Sequence, residues 1–275
     1  MSTSTRVSPL VLLKDGVGPP IIIAHGLCGT VQVSKLAQHI QTQHPVYGIQ
    51  AKGVDGAEEP LDSVEEMASY YVEALEEHFA AGPYFIVGYS FGGLVALEMA
   101  QRLKARGQKI LLLAMLDAYP HPHFLRLPTR ANLFARRIRT HTRLIWEMPA
   151  RDGWSYFVRG LKRRLHLAGR IEKRPSPASA DTPAPDPILR KVSDKSYAAY
   201  AHYQPRFYAG KVSFVATDTK TFFPPDPVPA WKHLVADLEV QVVHGDHLNI
   251  VTTEFESLAD VLTRYVQQAD TQRTR

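Results

Sequence analysis

Ser90 lies between two glycines in Gly88-Tyr89-Ser90-Phe91-Gly92, directly after the apolar run Tyr84–Val87 and before a helical pattern. Serine is common in tight turns, and that is the ordinary reading of such a stretch. The chemical reading is a nucleophile elbow, a strained strand-to-helix turn that holds a hydroxyl above the edge of a sheet. A serine hydroxyl is a poor nucleophile until a base takes its proton, and the base needs a third group to set its tautomer. A histidine and a carboxylate are therefore required at the ends of other strands. Asp117 follows the run Ile110–Leu116, and His247 follows Val240–Val243 in His244-Gly245-Asp246-His247.

The order Ser90, Asp117, His247 along the chain is the one expected of the α/β-hydrolase fold. Pro20–Ala24 adds a fourth piece, because it runs into His25-Gly26-Leu27-Cys28-Gly29. A glycine-bearing loop there can aim a backbone N–H at a developing oxyanion, and the residue after the nucleophile supplies a second. The expected donors are the N–H groups of Leu27 and Phe91. Asp218 rivals Asp117, since it also ends a strand pattern, in VSFVATD. Strand order alone leaves both within reach. Asp246 is expected to cap its own loop, because adjacent side chains rarely converge on one proton. His25 is expected to support the glycine-bearing loop. Cys28 is expected to be a small buried residue with no base of its own.

These residues need a frame. The runs Pro20–Ala24, Val46–Ile49, Tyr84–Val87, Ile110–Leu116, Val212–Thr217 and Val240–Val243 are nearly continuous in apolar residues. Such runs suit strands covered on both faces of a parallel sheet. Amphipathic stretches at Ser63–Ala80, Leu94–Arg106, Val192–Tyr203 and Glu256–Gln268 alternate with them, and Gly107 marks a helix stop. The fold class is α/β, a mostly parallel, doubly wound sheet. Between Leu116 and Val212 no strand pattern occurs. Residues 124–170 read as helical and arginine-rich, and 174–187 are proline-rich. The expectation is one domain over 1–275 with a helical lid inserted at about 121–200.

At 275 residues the chain is long enough for one large core. No apolar run approaches the ~20 residues that span a bilayer, and MSTSTRVSPLVLLKDG lacks the layout of a secretory signal. A single cysteine excludes an internal disulfide and points to a reducing cytoplasm. Basic residues of 126–170 face only Glu147 and Asp152. That imbalance fits either a solvated helix face or a dock for an acidic carrier or the phosphates of coenzyme A. No nucleic-acid-binding module is recognisable, so no nucleic-acid partner is expected. Histidine spacing suggests no metal site, and no cofactor is expected.

The stretches HGLCG at 25–29, PVYGIQAKGVDG at 45–56, GPYFIVGYSFGGLVALEMAQRL at 82–103, Leu112–Pro120 and GDHLNIV at 245–251 resemble thioesterases that close nonribosomal peptide and polyketide assembly lines. YQPRFYAGKVSFVATD at 203–218 is similar to the segment before that family's last strands. The resemblance implies an α/β-hydrolase fold with a helical lid and cleavage of an acyl thioester on a phosphopantetheine arm. It also implies the roles: Ser90 is acylated, His247 is base and then acid, and Asp117 orients it. The implied partner is an acyl or peptidyl carrier protein, or acyl-coenzyme A. The 275 residues contain no carrier segment, so the expectation is either a free-standing enzyme that acts on a carrier or coenzyme A in trans, or a role that the resemblance does not fix. Two other functions compete: a carboxylesterase or lipase-like hydrolase of oxygen esters, and a non-catalytic binding protein on a hydrolase fold.

Overall fold

The structure is a computed structural model that describes residues 8–29, 33–135, 139, 186–219, 223–224 and 226–273. Contacts divide the chain into one unit of Met1–Phe124 with Pro185–Arg275, and a second of Leu125–Ala184. In the second unit only 125–135 and 139 are described, and 127–135 are helical. The rest of the arginine-rich stretch, and the proline-rich stretch up to 185, lie outside the described residues.

The first unit is built on seven strands: β1 Leu10–Lys14, β2 Ile21–Ala24, β3 Val46–Ile49, β4 Tyr84–Tyr89, β5 Ile110–Leu116, β6 Tyr208–Thr219 and β7 Val235–Asp246. Their order across the sheet is β1-β3-β2-β4-β5-β6-β7. Every neighbouring pair is parallel except β1 with β3. The strand β1 has no counterpart among the expected strands: LVLLK is short, and its place is set by antiparallel pairing with β3. The six expected strands are present.

The described helices of this unit are α1 Ser34–His39, α2 Val64–His78, α3 Phe91–Ala105, α4 Pro187–His202, α5 Val228–Trp231 and α6 Phe255–Arg273. Alternate residues of the central strands serve opposite faces. Ile21, Ile23, Phe85, Val87, Leu112 and Ala114 share a buried cluster with Leu36 and Ala37 of α1 and with Leu258, Leu262 and Val266 of α6. The α2 and α3 helices pack on each other and α3 packs on β2, β4 and β5. Burying one Leu or Ile side chain contributes about 1.5–3 kcal/mol, so strands covered on both faces anchor the sheet. Helix ends follow local rules. Ser63 caps α2 by accepting the Glu66 N–H, and Asp186 caps α4 by accepting that of Ile188, with Pro187 in the first turn.

One expectation needs correction. The apolar run at the end of β7 is not covered on both faces: β7 is an edge strand, and Val242 is exposed. The helix α4 falls within the range of about 121–200 expected for the insertion and includes most of Val192–Tyr203, expected to alternate with the strands; it clusters with the first unit. Its end is held to α3 by a buried carboxylate. Glu98 accepts from Arg102 at 3.0 Å, from the Tyr203 hydroxyl at 3.1 Å and from Arg206 at 3.1 and 3.2 Å. Among the described residues, no helix is long and apolar enough to cross a membrane.

Candidate active site

All six residues of β4 are buried, and Ser90 follows at φ 54° and ψ −123°. A non-glycine residue in that region stores about 1–3 kcal/mol of strain and persists only when its surroundings impose it. Here the Ser90 N–H donates to the Leu116 carbonyl at 2.9 Å, and its own carbonyl accepts the Gly93 N–H at 3.0 Å. The flanking glycines make the turn possible. A Cβ on Gly88 would lie 2.3 Å from the Gly92 carbonyl oxygen, and one on Gly92 would lie 2.3 Å from that of His25. The first turn of α3 therefore lies against the start of the 25–29 loop.

Asp117 leaves β5 in a second strained turn, at φ 45°, with its N–H bonded to Val215 at 2.7 Å. Its carboxylate is buried and accepts long hydrogen bonds from the Thr217 N–H at 3.5 Å and hydroxyl at 3.4 Å. His247 stands past the end of β7. Its Nδ1 is 2.9 Å from Asp117 Oδ2, and its Nε2 is 2.9 Å from Ser90 Oγ. An ionised carboxylate only accepts, so Nδ1 carries the proton and Nε2 is free to accept that of Ser90. The structure thus brings Ser90, His247 and Asp117 into one hydrogen-bonded line across three strand ends.

Asp218 is not in that line. Its carboxylate accepts from His244 Nδ1 at 2.8 Å and from the Gly245 N–H at 3.0 Å, at the surface. The hydrogen bond from His244, then that from Gly245, holds its carboxyl below the ordinary range. The same pairing holds the His244 ring above its usual value. Asp246 caps its loop, accepting the N–H groups of Leu248 at 2.8 Å and Asn249 at 2.9 Å.

Leu27 is half-buried in the turn after β2, and Phe91 is buried at the start of α3. Among the described residues neither N–H takes part in a turn or loop hydrogen bond. Such a pair of donors suits an oxygen that develops negative charge. His25 braces the loop beside them. Its Nδ1 donates to the Gly26 carbonyl at 2.6 Å, so Nε2, 2.9 Å from the Tyr71 hydroxyl, acts as acceptor. Burial lowers the His25 pKa, partly offset by the Gly26 contact, and the ring stays neutral. Cys28, expected to be buried, is exposed. A tight turn cannot bury every side chain, and in this one Leu27 is half-buried while Cys28 faces out.

Two contacts to His247 escaped the sequence. The Tyr89 ring stacks on the imidazole at 5.2 Å and 26°, and Phe223 approaches it at 4.7 Å and 55°. Phe223 in turn stacks on Tyr119 at 5.0 Å and 11°. Only a Phe-Phe-Pro-Pro run after β6 hints at Phe223, and nothing marks Tyr89 beyond its place in the elbow.

The family model of the thioesterase domain matches residues 19–265. The dimodular nonribosomal peptide synthase of Bacillus subtilis (strain 168) is 38% identical over 117 residues, 42% of this chain and 5% of that protein. Polyketide synthase PksR of the same organism is 39% identical over 111 residues, 40% of this chain and 4% of that protein. The chain thus spans a small fraction of the curated relatives it matches. In structure, it is similar to the NocB thioesterase domain from the nocardicin cluster at a TM-score of 0.62 and 22% identity, covering 92% of this chain and 95% of that one. The RedJ thioesterase from the prodiginine pathway of Streptomyces coelicolor gives a TM-score of 0.60 at 18% identity, covering 90% of each chain. At such identities the structural likeness speaks for the fold, and the family match covers most of the chain. The chain belongs to the thioesterase domain family and has the α/β-hydrolase fold.

Proposed function

We propose that this chain releases an acyl, polyketide or peptidyl chain from a phosphopantetheine thioester through an acyl-enzyme on Ser90. The thioester is carried by a carrier protein or by coenzyme A. The observation that carries this reading is the unbroken line from Asp117 through His247 to Ser90, with both hydrogen bonds at 2.9 Å. The relatives, which are peptide and polyketide synthases, support the substrate class.

In the first half, His247 Nε2 takes the Ser90 proton as Oγ attacks the thioester carbonyl carbon. The carbonyl oxygen becomes an oxyanion that the Leu27 and Phe91 N–H groups stabilise. Each such donor is worth about 3 kcal/mol of barrier. The C–S bond then breaks, and His247 gives its proton to the departing thiolate. The acyl group remains on Ser90 and the pantetheine thiol leaves. In the second half, water, or a hydroxyl or amine of the chain itself, attacks the ester while His247 accepts its proton. That proton passes to Oγ as the product leaves. Asp117 remains ionised throughout, holds Nδ1–H and stabilises the imidazolium.

The test pairs one acyl group in two forms, an acyl-pantetheine thioester and an aryl oxygen ester, with intact-protein mass spectrometry. The expected result is faster release of the thiol and an acyl adduct on Ser90 that is absent from Ser90→Ala. Preference for the aryl ester would favour the carboxylesterase reading. Release without an adduct on Ser90 would overturn the mechanism.

A further inference from the structure

We propose that Tyr89 is a positioning residue for the base, one side chain that registers His247 against the strand end that presents the nucleophile. The inference rests on the reading of Ser90 and His247 above. Tyr89 is the last residue of β4 and the immediate neighbour of Ser90, and its side chain is buried. Its ring lies nearly parallel to the His247 imidazole, at 5.2 Å and 26°. Its hydroxyl donates to the His247 backbone carbonyl at 2.5 Å. Its opposite demand is on the 25–29 loop: a Cβ on Gly26 would come within 3.3 Å of Tyr89 Cδ1. One side chain therefore touches the loop that carries Leu27 and both the ring and the backbone of the base.

His247 needs such a support. It sits in the turn beyond β7, the edge strand, two strands removed from β5 and three from β4. The hydrogen bonds to Asp117 and Ser90 fix the two ring nitrogens in the ring plane. They leave out-of-plane tilt and the height of the backbone to other contacts. The Tyr89 face limits the tilt, and its hydroxyl pins the carbonyl. Because Tyr89 and Ser90 are consecutive, the distance from base to nucleophile is set at one strand end. An aromatic face beside the ring also favours the imidazolium that forms when the Ser90 proton arrives. Burial, then the nearby charges of Asp117, Cys28 and Asp246, raises the phenol's pKa. The hydroxyl stays protonated and remains a donor.

The test follows the nucleophile directly, by the rate at which a fluorophosphonate labels Ser90, beside kcat and KM for an acyl-pantetheine. Tyr89→Phe keeps the ring and loses the carbonyl anchor, and its labelling rate and kcat should fall several-fold. Tyr89→Leu loses both contacts and should fall about a hundredfold, the scale of a 1 Å misplacement of a reacting group. In both variants KM should stay within about twofold, since ground-state substrate binding does not use the base. A Tyr89→Leu protein that labels within about twofold of wild type would overturn the inference. So would a loss in Tyr89→Phe as large as in Tyr89→Leu, which would leave the ring without a role. A rate loss that merely tracks the unfolded fraction, read by circular dichroism, would also overturn it. Wild-type protein that takes no label at Ser90 is a distinct result: it overturns the reading of the site, and the inference falls with it.

Discussion

Asp117 and Asp218 stand at the C-terminal ends of neighbouring parallel strands, β5 and β6, and are paired with different histidines. Asp117 meets His247 Nδ1 at 2.9 Å in the interior, whereas Asp218 meets His244 Nδ1 at 2.8 Å at the surface. The backbone accounts for the difference. Asp117 turns out of its strand at positive φ and points inward, while Asp218 still lies within β6. A buried carboxylate interacts with an imidazole far more strongly than a hydrated one does.

Asp117→Asn should cost on the order of ten-thousandfold in kcat, because an amide in that place favours the wrong histidine tautomer. Asp218→Asn should change kcat little. Steady-state kinetics of the two variants check this, and the reverse ranking would move the acid to Asp218.

Ser90→Ala should abolish turnover, by up to about a million-fold, with the fold retained. Alanine has a Cβ like serine and meets the same strained turn, so the unfolding transition should hardly move. Retention of more than a few per cent of activity would remove Ser90 from the mechanism.

Gly92→Ala should damage both stability and rate. The new Cβ would fall 2.3 Å from the His25 carbonyl oxygen and 2.5 Å from that of Ala24, which are backbone atoms with little room to yield. A cost of about 1–3 kcal/mol is expected, read by urea denaturation, with kcat lowered because the loop carrying Leu27 must shift.

Glu98→Leu should destabilise the protein by about 1–3 kcal/mol, since it strips the buried Tyr203 hydroxyl of its acceptor. Arg102 and Arg206 are partly in water and lose less. Urea denaturation measures the change, and kcat per folded molecule should hold.

The His244–Asp218 pair sets a pH window. His244 is held above its ordinary 6.5, so its contribution is complete below that value and fades as pH rises through the raised one. Asp218 is held below 3.8, so its contribution is present above that value and fades as pH falls through the lowered one. Both are hydrated, and the effect on stability is small. Nuclear magnetic resonance should place the His244 titration above 6.5 and return it towards that value in Asp218→Asn.

Much of this molecule was legible in one dimension. Tyr84–Val87 and Ile110–Leu116 are apolar without alternation, which only a strand covered on both faces requires. The glycines around Ser90 signalled a turn with no room for a side chain, and the order of Ser90, Asp117 and His247 indicated their common edge. These features are local, or depend on strand order, and a sequence records both. Which carboxylate meets His247 is a different matter: Asp117 and Asp218 both end strand patterns, and the answer depends on a backbone angle and on burial. Cys28 turned outward and Val242 lies on an open edge for the same reason, since burial belongs to packing between distant segments. The contact between Tyr89 and His247 joins residues 158 apart and depends on the tilt of two rings. No period or motif encodes that tilt, so only the tertiary structure could decide it.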